Sequence, residues 1–214
     1  LRALSSEVVA SLNGHGIGRG DRIAIVLPNG PEMAAAFAAI AAGAVTAPLN
    51  PAYRDDEFDF YLDDLKARAL IVQQGVETPA RGAAERRGID IVELLPDLTG
   101  PAGRFTLSYP APSTGAAGSG GFADSADAGL ILHTSGTTSR PKMVPLSQAN
   151  ICASARHIGE SLALTADDRC LNIMPLFHIH GLIAAVLSSL GAGAGVHCTP
   201  GFNALRFFQW MDEV

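Results

Sequence analysis

The chain has 214 residues, of which 48% are hydrophobic and 17% charged, with a formal net charge of −6 at pH 7. That is enough apolar material for a substantial core, whereas the acidic balance and the lack of any basic run argue against nucleic acid or a membrane surface as the main partner. No segment reaches the ~18 uninterrupted apolar residues of a transmembrane helix. Three cysteines stand far apart without a CxxC pair, and we interpret them as reduced core thiols of a cytoplasmic protein: Cys152, Cys170 and Cys198.

The first 95 residues alternate between predicted helices and predicted strands. Apolar residues at helical spacing predict a helix over 4–12, and Gly14 and Gly16 close it. By the same criteria further helices are expected over 31–42, 57–65 and 78–87, and strands over 22–27, 45–49, 69–72 and 89–94. Such alternation indicates an α/β fold of βαβ layers with a mainly parallel sheet.

Residues 96–127 have a different composition, rich in Gly, Pro, Ser and Ala and without a periodic apolar pattern. This composition predicts a flexible surface connection. The expected organisation is therefore a first α/β subdomain over 1–95, a flexible connection over 96–127 and a second α/β subdomain over 128–214.

The stretch 132–146, LHTSGTTSRPKMVPL, carries the densest chemistry of the chain. It follows an apolar run typical of a buried strand. Hydroxyl groups and free backbone N–H groups donate to phosphate oxygens, and a lysine adds a point charge. The sequence therefore predicts a phosphate-binding loop, with these candidate residues: Thr134, Ser135, Gly136, Thr137, Thr138, Arg140 and Lys142.

The loop is not a Walker P-loop, because Pro141 precedes Lys142 and Met143 follows it. Proline has a fixed φ and no N–H, so it cannot wrap a phosphate in that way. A plain Ser/Thr-rich turn between two strands is the alternative without function. The role of His133, just before the loop, stays open.

Ser147 is a predicted N-cap for a helix over 147–162. We expect the N-terminus of this helix to face the phosphate region, where its dipole would favour anions. The rest of the chain predicts a strand over 168–174, a helix over 182–190, a strand over 196–198 and a final amphipathic helix capped by Asn203.

A second candidate site is PLFHIHG at 175–181, which follows a predicted strand at the place where α/β folds bind ligands. Its candidate residues are His178, His180 and Gly181. Two alternatives remain open. Both histidines could merely satisfy local backbone groups, or the His-x-His pair could bind a metal, although no nearby Cys, Asp or Glu completes a ligand set.

TSGTTSRPK resembles the phosphate loop of the adenylate-forming superfamily, which comprises acyl-CoA synthetases, luciferases and adenylation domains of peptide synthetases. The Ser-Arg-Pro-Lys run preceded by Leu-His is similar to the oxalate–CoA ligase branch and its fatty-acid–CoA-ligase-like relatives. Met143 departs from the glycine that is usual there. GDRIAIVLPNG and GAVTAPLNPAYRDDEFDFYLDDLKARALI resemble the N-terminal region of the superfamily, and PLFHIHG is similar to its next motif.

The resemblance implies a two-step reaction in which a small-molecule carboxylate attacks the α-phosphorus of ATP and a thiol, usually coenzyme A, then displaces AMP from the acyl-adenylate. Mg²⁺ normally bridges the phosphates. The resemblance also implies that residues 134–138 cradle the β- and γ-phosphates while Lys142 and Arg140 offset their charge. His178 would lie between the ATP and acyl pockets, His180 would line the substrate side, and Gly181 would let the next helix pack closely.

Several family elements are missing from these residues, including the Tyr-Gly-x-Thr-Glu motif and the small C-terminal domain with its catalytic lysine. The chain begins without Met and ends inside a predicted helix, so we expect an inactive fragment of the large N-terminal domain of an acyl-CoA synthetase. The rival hypothesis is a non-catalytic nucleotide-binding or interaction module with a degenerate adenylation fold, to which Met143 gives weight. Oxalate or another small acid is suggested as substrate, while fatty and aryl acids stay open.

Overall fold

The computed structural model describes residues 1–112, 119–134 and 141–214. Its strands are β1 (Arg22–Val26), β2 (Val45–Pro48), β3 (Ala69–Gln73), β4 (Asp90–Pro96), β5 (Phe105–Ser108), β6 (Ala128–Thr134), β7 (Lys142–Ser147), β8 (Arg169–Asn172) and β9 (Gly195–Cys198). Its helices are α1 (Arg2–Gly14), α2 (Pro31–Ala41), α3 (Asp55–Leu65), α4 (Pro79–Arg86), α5 (Gln148–Ser161), the π-helix His180–Leu187, α6 (Ser188–Gly191), which continues it, and α7 (Phe207–Glu213).

A seven-stranded sheet in the order β5-β4-β3-β1-β2-β6-β7 organises the described residues. Its five central strands are mutually parallel, whereas β5 and β7 run antiparallel to their neighbours at the two edges. β8 and β9 form a separate parallel pair. The predicted α/β fold with a mainly parallel sheet is confirmed, and both predicted subdomains contribute strands to the large sheet.

The central strands are largely apolar because helices cover both faces of the sheet. Side chains of β1 alternate between the faces. Ile23 and Ile25 belong to a buried cluster with Phe37 of α2, whereas Ala24 and Val26 belong to one with Phe58 of α3. The first cluster extends into the π-helix, so α2 lies between the large sheet and the layer that follows PLFHIHG.

The prediction of a flexible connection over 96–127 is wrong for part of that segment, because the segment contains β5. Phe105 is buried and pairs with Pro96 of β4, while Thr106 beside it is exposed. The four residues of β5 do alternate between apolar and polar, but four is the shortest run in which alternation indicates a strand. Farther along, the carboxylates of Asp124 and Asp127 pair with the Arg19 guanidinium, which ties this end of the segment to the first subdomain.

The position predicted for the N-terminus of α5 is also wrong. Ser147 does cap the helix, since its hydroxyl accepts from the Asn150 N–H at 3.2 Å. However, β7 runs back antiparallel to β6, so that Lys142 pairs with Thr134 at one end and Ser147 pairs with Ala128 at the other. Six residues of strand, about 20 Å, therefore separate the start of α5 from the loop. Its dipole therefore acts at the other end of β6 and β7.

The other predicted elements are confirmed with shifts of a few residues at their ends. The cap predicted for the final helix is wrong: the Asn203 side chain accepts from the backbone N–H groups of Leu205 and Arg206 in the turn before α7, and Arg206 is the residue that precedes the helix. In the described ranges, no helix is both long and apolar enough to cross a membrane.

One cysteine departs from the expectation of core thiols. Cys152 is exposed on α5, whereas Cys170 and Cys198 are half-buried in the small parallel pair. Burial raises the pKa of the Cys198 thiol to about 11. Thiol reagents should therefore react more slowly with the Cys198 thiol, whereas Cys152 is the cysteine most accessible to them.

Candidate functional site

The carboxyl ends of three neighbouring parallel strands lie side by side and form what we call the carboxyl edge of the large sheet. In the pairing of β1 with β2, Ile25 lies beside Pro48, and in the pairing of β2 with β6, Thr46 lies beside Leu130. All three strands therefore end on the same side, where β6 finishes at Thr134. Open α/β sheets bind their ligands outside this edge.

A cavity of about 370 Å³ opens at that edge. Its walls combine the residues that follow β1 and β2 with the beginning of PLFHIHG, and they include Pro28, Asn29, Asn50, Pro175 and Phe177. The volume falls in the ~300–1,000 Å³ range of small-molecule sites. The turn predicted as the second site thus shares a cavity with the end of the large sheet.

The PLFHIHG turn has one buried anchor and two exposed histidines. Leu176 is 1% exposed and belongs to the core cluster around α2. The N–H of His178 donates to the Pro175 carbonyl at 3.2 Å, which closes the turn. The side chains of His178 and His180 are exposed, and neither imidazole hydrogen-bonds to another described residue. In the described part of the chain, the alternative of locally satisfied histidines therefore finds no support.

Gly181 is buried where the π-helix meets this turn. A Cβ atom at this position would lie 2.6 Å from the Pro175 carbonyl oxygen, closer than real Cβ contacts allow. This agrees with the expected close packing of the following helix. The π-helical geometry of the segment is itself uncommon and is frequently found at functional sites.

The predicted phosphate loop begins and ends at the same point of the sheet edge. Thr134 and Lys142 are paired across β6 and β7, the Thr134 hydroxyl donates to the Lys142 carbonyl at 3.5 Å, and both residues are exposed. The remaining candidates of the loop lie outside the described residues: Ser135, Gly136, Thr137, Thr138 and Arg140.

Two side chains next to the loop have structural contacts. His133 Nε2 lies 3.0 Å from Asp64 Oδ2 of α3, and the imidazole packs edge-on against Tyr61. Met143 packs against the cluster on the α3 side of the sheet, with its sulfur 3.9 Å from an Arg22 nitrogen. The Met143 side chain is thus accommodated by the body of the protein.

Three polar residues that the sequence did not single out connect the two sheets. Asn29 follows β1, Asn172 ends β8 and Thr199 follows β9. The Asn29 side chain donates to the Thr199 carbonyl and accepts from the Leu176 N–H, and the Thr199 hydroxyl donates to the Asn172 carbonyl. Asn29 stands in a Pro-Asn-Gly-Pro run, a strong turn signal that conceals any other role. No local pattern distinguishes such an asparagine from an ordinary turn residue.

Magnesium is the metal that the nucleotide chemistry would require. Within 1–112, 119–134 and 141–214, no three His, Cys, Asp or Glu side chains are grouped so that they could hold a metal ion. Mg²⁺ in nucleotide sites takes most of its ligands from phosphates and water, with one or two protein groups. The described residues are therefore compatible with Mg²⁺ that enters together with ATP.

Comparison with known proteins agrees with this geometry. A family model described as "AMP-binding enzyme" matches residues 1–214. The chain is 41% identical to a probable CoA ligase of Humulus lupulus, over 100% of this chain and 41% of that protein. It is 42% identical to an oxalate–CoA ligase of Arabidopsis thaliana, over 92% of this chain and 39% of that protein.

The chain therefore spans about two fifths of the length of these relatives. The ATP-bound crystal structure of MatB from Rhodopseudomonas palustris superimposes with a TM-score of 0.80 at 27% identity, covering 99% of this chain and 41% of that one. The resemblance to adenylate-forming enzymes is confirmed, and the chain belongs to the AMP-binding enzyme family.

Proposed function

We propose that the protein containing this chain is an AMP-forming acid–thiol ligase, which adenylates a carboxylate with ATP and transfers the acyl group to coenzyme A. The observation that carries the proposal is a shared sheet edge. The strands that lead into and out of the predicted phosphate loop meet there, and the cavity lined by the PLFHIHG turn opens there as well.

The loop would bind the β- and γ-phosphates of ATP. Hydroxyl and backbone N–H groups of 134–138 would donate to phosphate oxygens, while Lys142 and Arg140 offset the negative charge. Lys142 is exposed at the point where the loop rejoins the sheet, as such a role requires. Mg²⁺, when bound, would neutralise charge on the transferring group. Such electrostatic stabilisation of the transition state is usually the largest contribution to catalysis.

His178 and His180 would contact the acyl substrate. Their exposed imidazoles are free of hydrogen bonds to other described residues, so they can donate to a carboxylate without breaking an existing contact. The similarity to an oxalate–CoA ligase of Arabidopsis thaliana and to a sulfoacetate–CoA ligase of Cupriavidus necator favours a small anionic acid. Gly181 would keep the turn close to the π-helix.

The second candidate, a non-catalytic module with a degenerate loop, depends mainly on Met143. The Met143 side chain packs against the hydrophobic cluster on the α3 side of the sheet, so the body of the protein accommodates it. The packing of Met143 therefore does not count against the ligase.

The test is carboxylate-dependent release of AMP by the intact protein, with ATP, Mg²⁺ and coenzyme A. Oxalate, malonate, sulfoacetate, 4-coumarate and a fatty acid form the substrate panel. We expect release with a small dicarboxylate and no release when coenzyme A and carboxylate are both withheld. Nucleotide binding without turnover on any acid would favour the module. In parallel, the 214-residue chain alone should give no carboxylate-dependent pyrophosphate exchange.

A further inference from the structure

The side-chain amide of Asn29 joins three points of the backbone that are far apart in sequence. Its Oδ1 atom accepts from the Leu176 N–H at 2.7 Å. Its Nδ2 atom donates to the Thr199 carbonyl at 2.8 Å and to the Met174 carbonyl at 3.3 Å. A half-buried asparagine thus connects the end of β1 to the segments that follow β8 and β9.

The partners of Asn29 are themselves fixed by a second asparagine. Asn172 is 1% exposed; its side chain donates to the Met174 carbonyl at 3.2 Å and accepts from the Met174 N–H at 3.1 Å. Its own carbonyl accepts from the Thr199 hydroxyl at 3.0 Å. Asn29 therefore binds a prearranged surface, and its amide can satisfy a donor and two acceptors in one orientation only.

The PLFHIHG turn lies directly beside this arrangement. The turn follows Met174 directly. Leu176 is fixed in two ways, because its side chain is buried in the core and its N–H donates to Asn29. His178 comes two residues later, in the closed turn. Asn29 also lines the cavity beside Pro175 and Phe177.

We propose that Asn29 is a positioning residue, which sets the location of His178 relative to the carboxyl edge of the large sheet. The proposal rests on the proposed function in so far as His178 contacts the carboxylate or the nucleotide. Asn29 acts through the backbone of 174–178, so its effect on the reaction is indirect.

Hydrogen–deuterium exchange of the intact protein without ligands tests the anchoring itself. Asn29→Ala removes all three bonds, and the amides of 176–178 should exchange about tenfold faster. Asn29→Asp keeps an acceptor for the Leu176 N–H but sets a carboxylate against two carbonyl oxygens. It should loosen the segment around Thr199 more than the Leu176 amide, and it serves as the milder variant if Asn29→Ala folds poorly.

Kinetics test the positioning. The matched control is Asn13→Ala, which also removes a donor and an acceptor bond to the backbone, at Ile17 and Gly121, on the far end of α1. With the acid that supports turnover, Asn29→Ala should lower kcat about tenfold or more relative to Asn13→Ala, with a smaller change in the KM for ATP.

Each result decides a separate question. Unchanged exchange over 174–178 in Asn29→Ala would overturn the proposal, as would kinetic constants equal to those of Asn13→Ala. If the wild-type protein releases no AMP with any acid, the ligase function fails. The exchange experiment then still supports or refutes the anchoring of the turn by Asn29.

Discussion

His133 Nε2 lies 3.0 Å from Asp64 Oδ2, which attaches the last turn of α3 to the residue just before the predicted phosphate loop. The imidazole is 5% exposed, whereas the carboxylate is 38% exposed. The end of β6 is therefore held from one side by a helix. A loop that must order around a nucleotide benefits from such a fixed starting point.

Replacing His133 with alanine should loosen the start of the loop. We expect a loss of about 1 kcal/mol in the free energy of unfolding, because one partner is partly screened by water. The KM for ATP should rise severalfold. Thermal denaturation and AMP-release kinetics measure the two effects, and His157→Ala, at an exposed position of α5, is the control. Equal KM values for the two variants would contradict a role in the loop.

Replacing Lys142 with alanine should impair catalysis without affecting the fold. A surface substitution changes the free energy of unfolding by less than about 0.5 kcal/mol, whereas loss of a charge at the phosphates should lower kcat by about 100-fold. Lys142→Arg should recover part of the activity. Lys66→Ala, at an exposed lysine beyond α3, serves as the control. Wild-type turnover in Lys142→Ala would exclude a phosphate contact.

Replacing Gly181 with alanine should displace the turn that carries the two histidines. The new Cβ would lie 2.6 Å from the Pro175 carbonyl oxygen, so the backbone must shift. We expect a loss of about 1–3 kcal/mol in the free energy of unfolding and a fall in kcat/KM for the carboxylate. Gly191→Ala is the matched control, since a Cβ there meets nothing within 4 Å. Identical melting temperatures for the two variants would refute the steric argument.

The Arg19–Asp127 pair should contribute to the acid sensitivity of the fold. The hydrogen bond from Arg19, 2.7 Å long, lowers the pKa of Asp127, and the Asp124 N–H lowers it further. Stability from a carboxyl with a lowered pKa is present above the unfolded value of about 3.9 and is lost as pH falls through the folded pKa. Asp127→Asn should therefore melt below the wild type at pH 7, and the difference should shrink below about pH 4.

Melting temperatures measured from pH 7 to pH 3 test this expectation. Asp167→Asn, at an exposed carboxylate before β8, is the control for the loss of one negative charge. A constant difference between Asp127→Asn and the wild type would mean that the pair does not titrate in this range.

Much of the fold follows from local chemistry in the sequence. The apolar runs of β1 and β3 and the helical spacing in α1 predict these elements correctly, because burial on both faces of a sheet demands such runs. The hydroxyl-rich stretch before Lys142 and the PLFHIHG segment are also recognisable locally, but for a different reason. Binding of phosphate and carboxylate requires particular donors.

Only the tertiary structure decided the relationships between distant segments. It placed the start of α5 at the end of β7 that lies away from the loop, because β7 turns back on β6. It also paired His133 with Asp64, which is 69 positions away along the chain. It also brought Asn29 to Leu176, 147 positions away. The direction of a strand and the partner of a polar side chain depend on packing between elements, and the order of residues along the chain does not encode either in any local pattern.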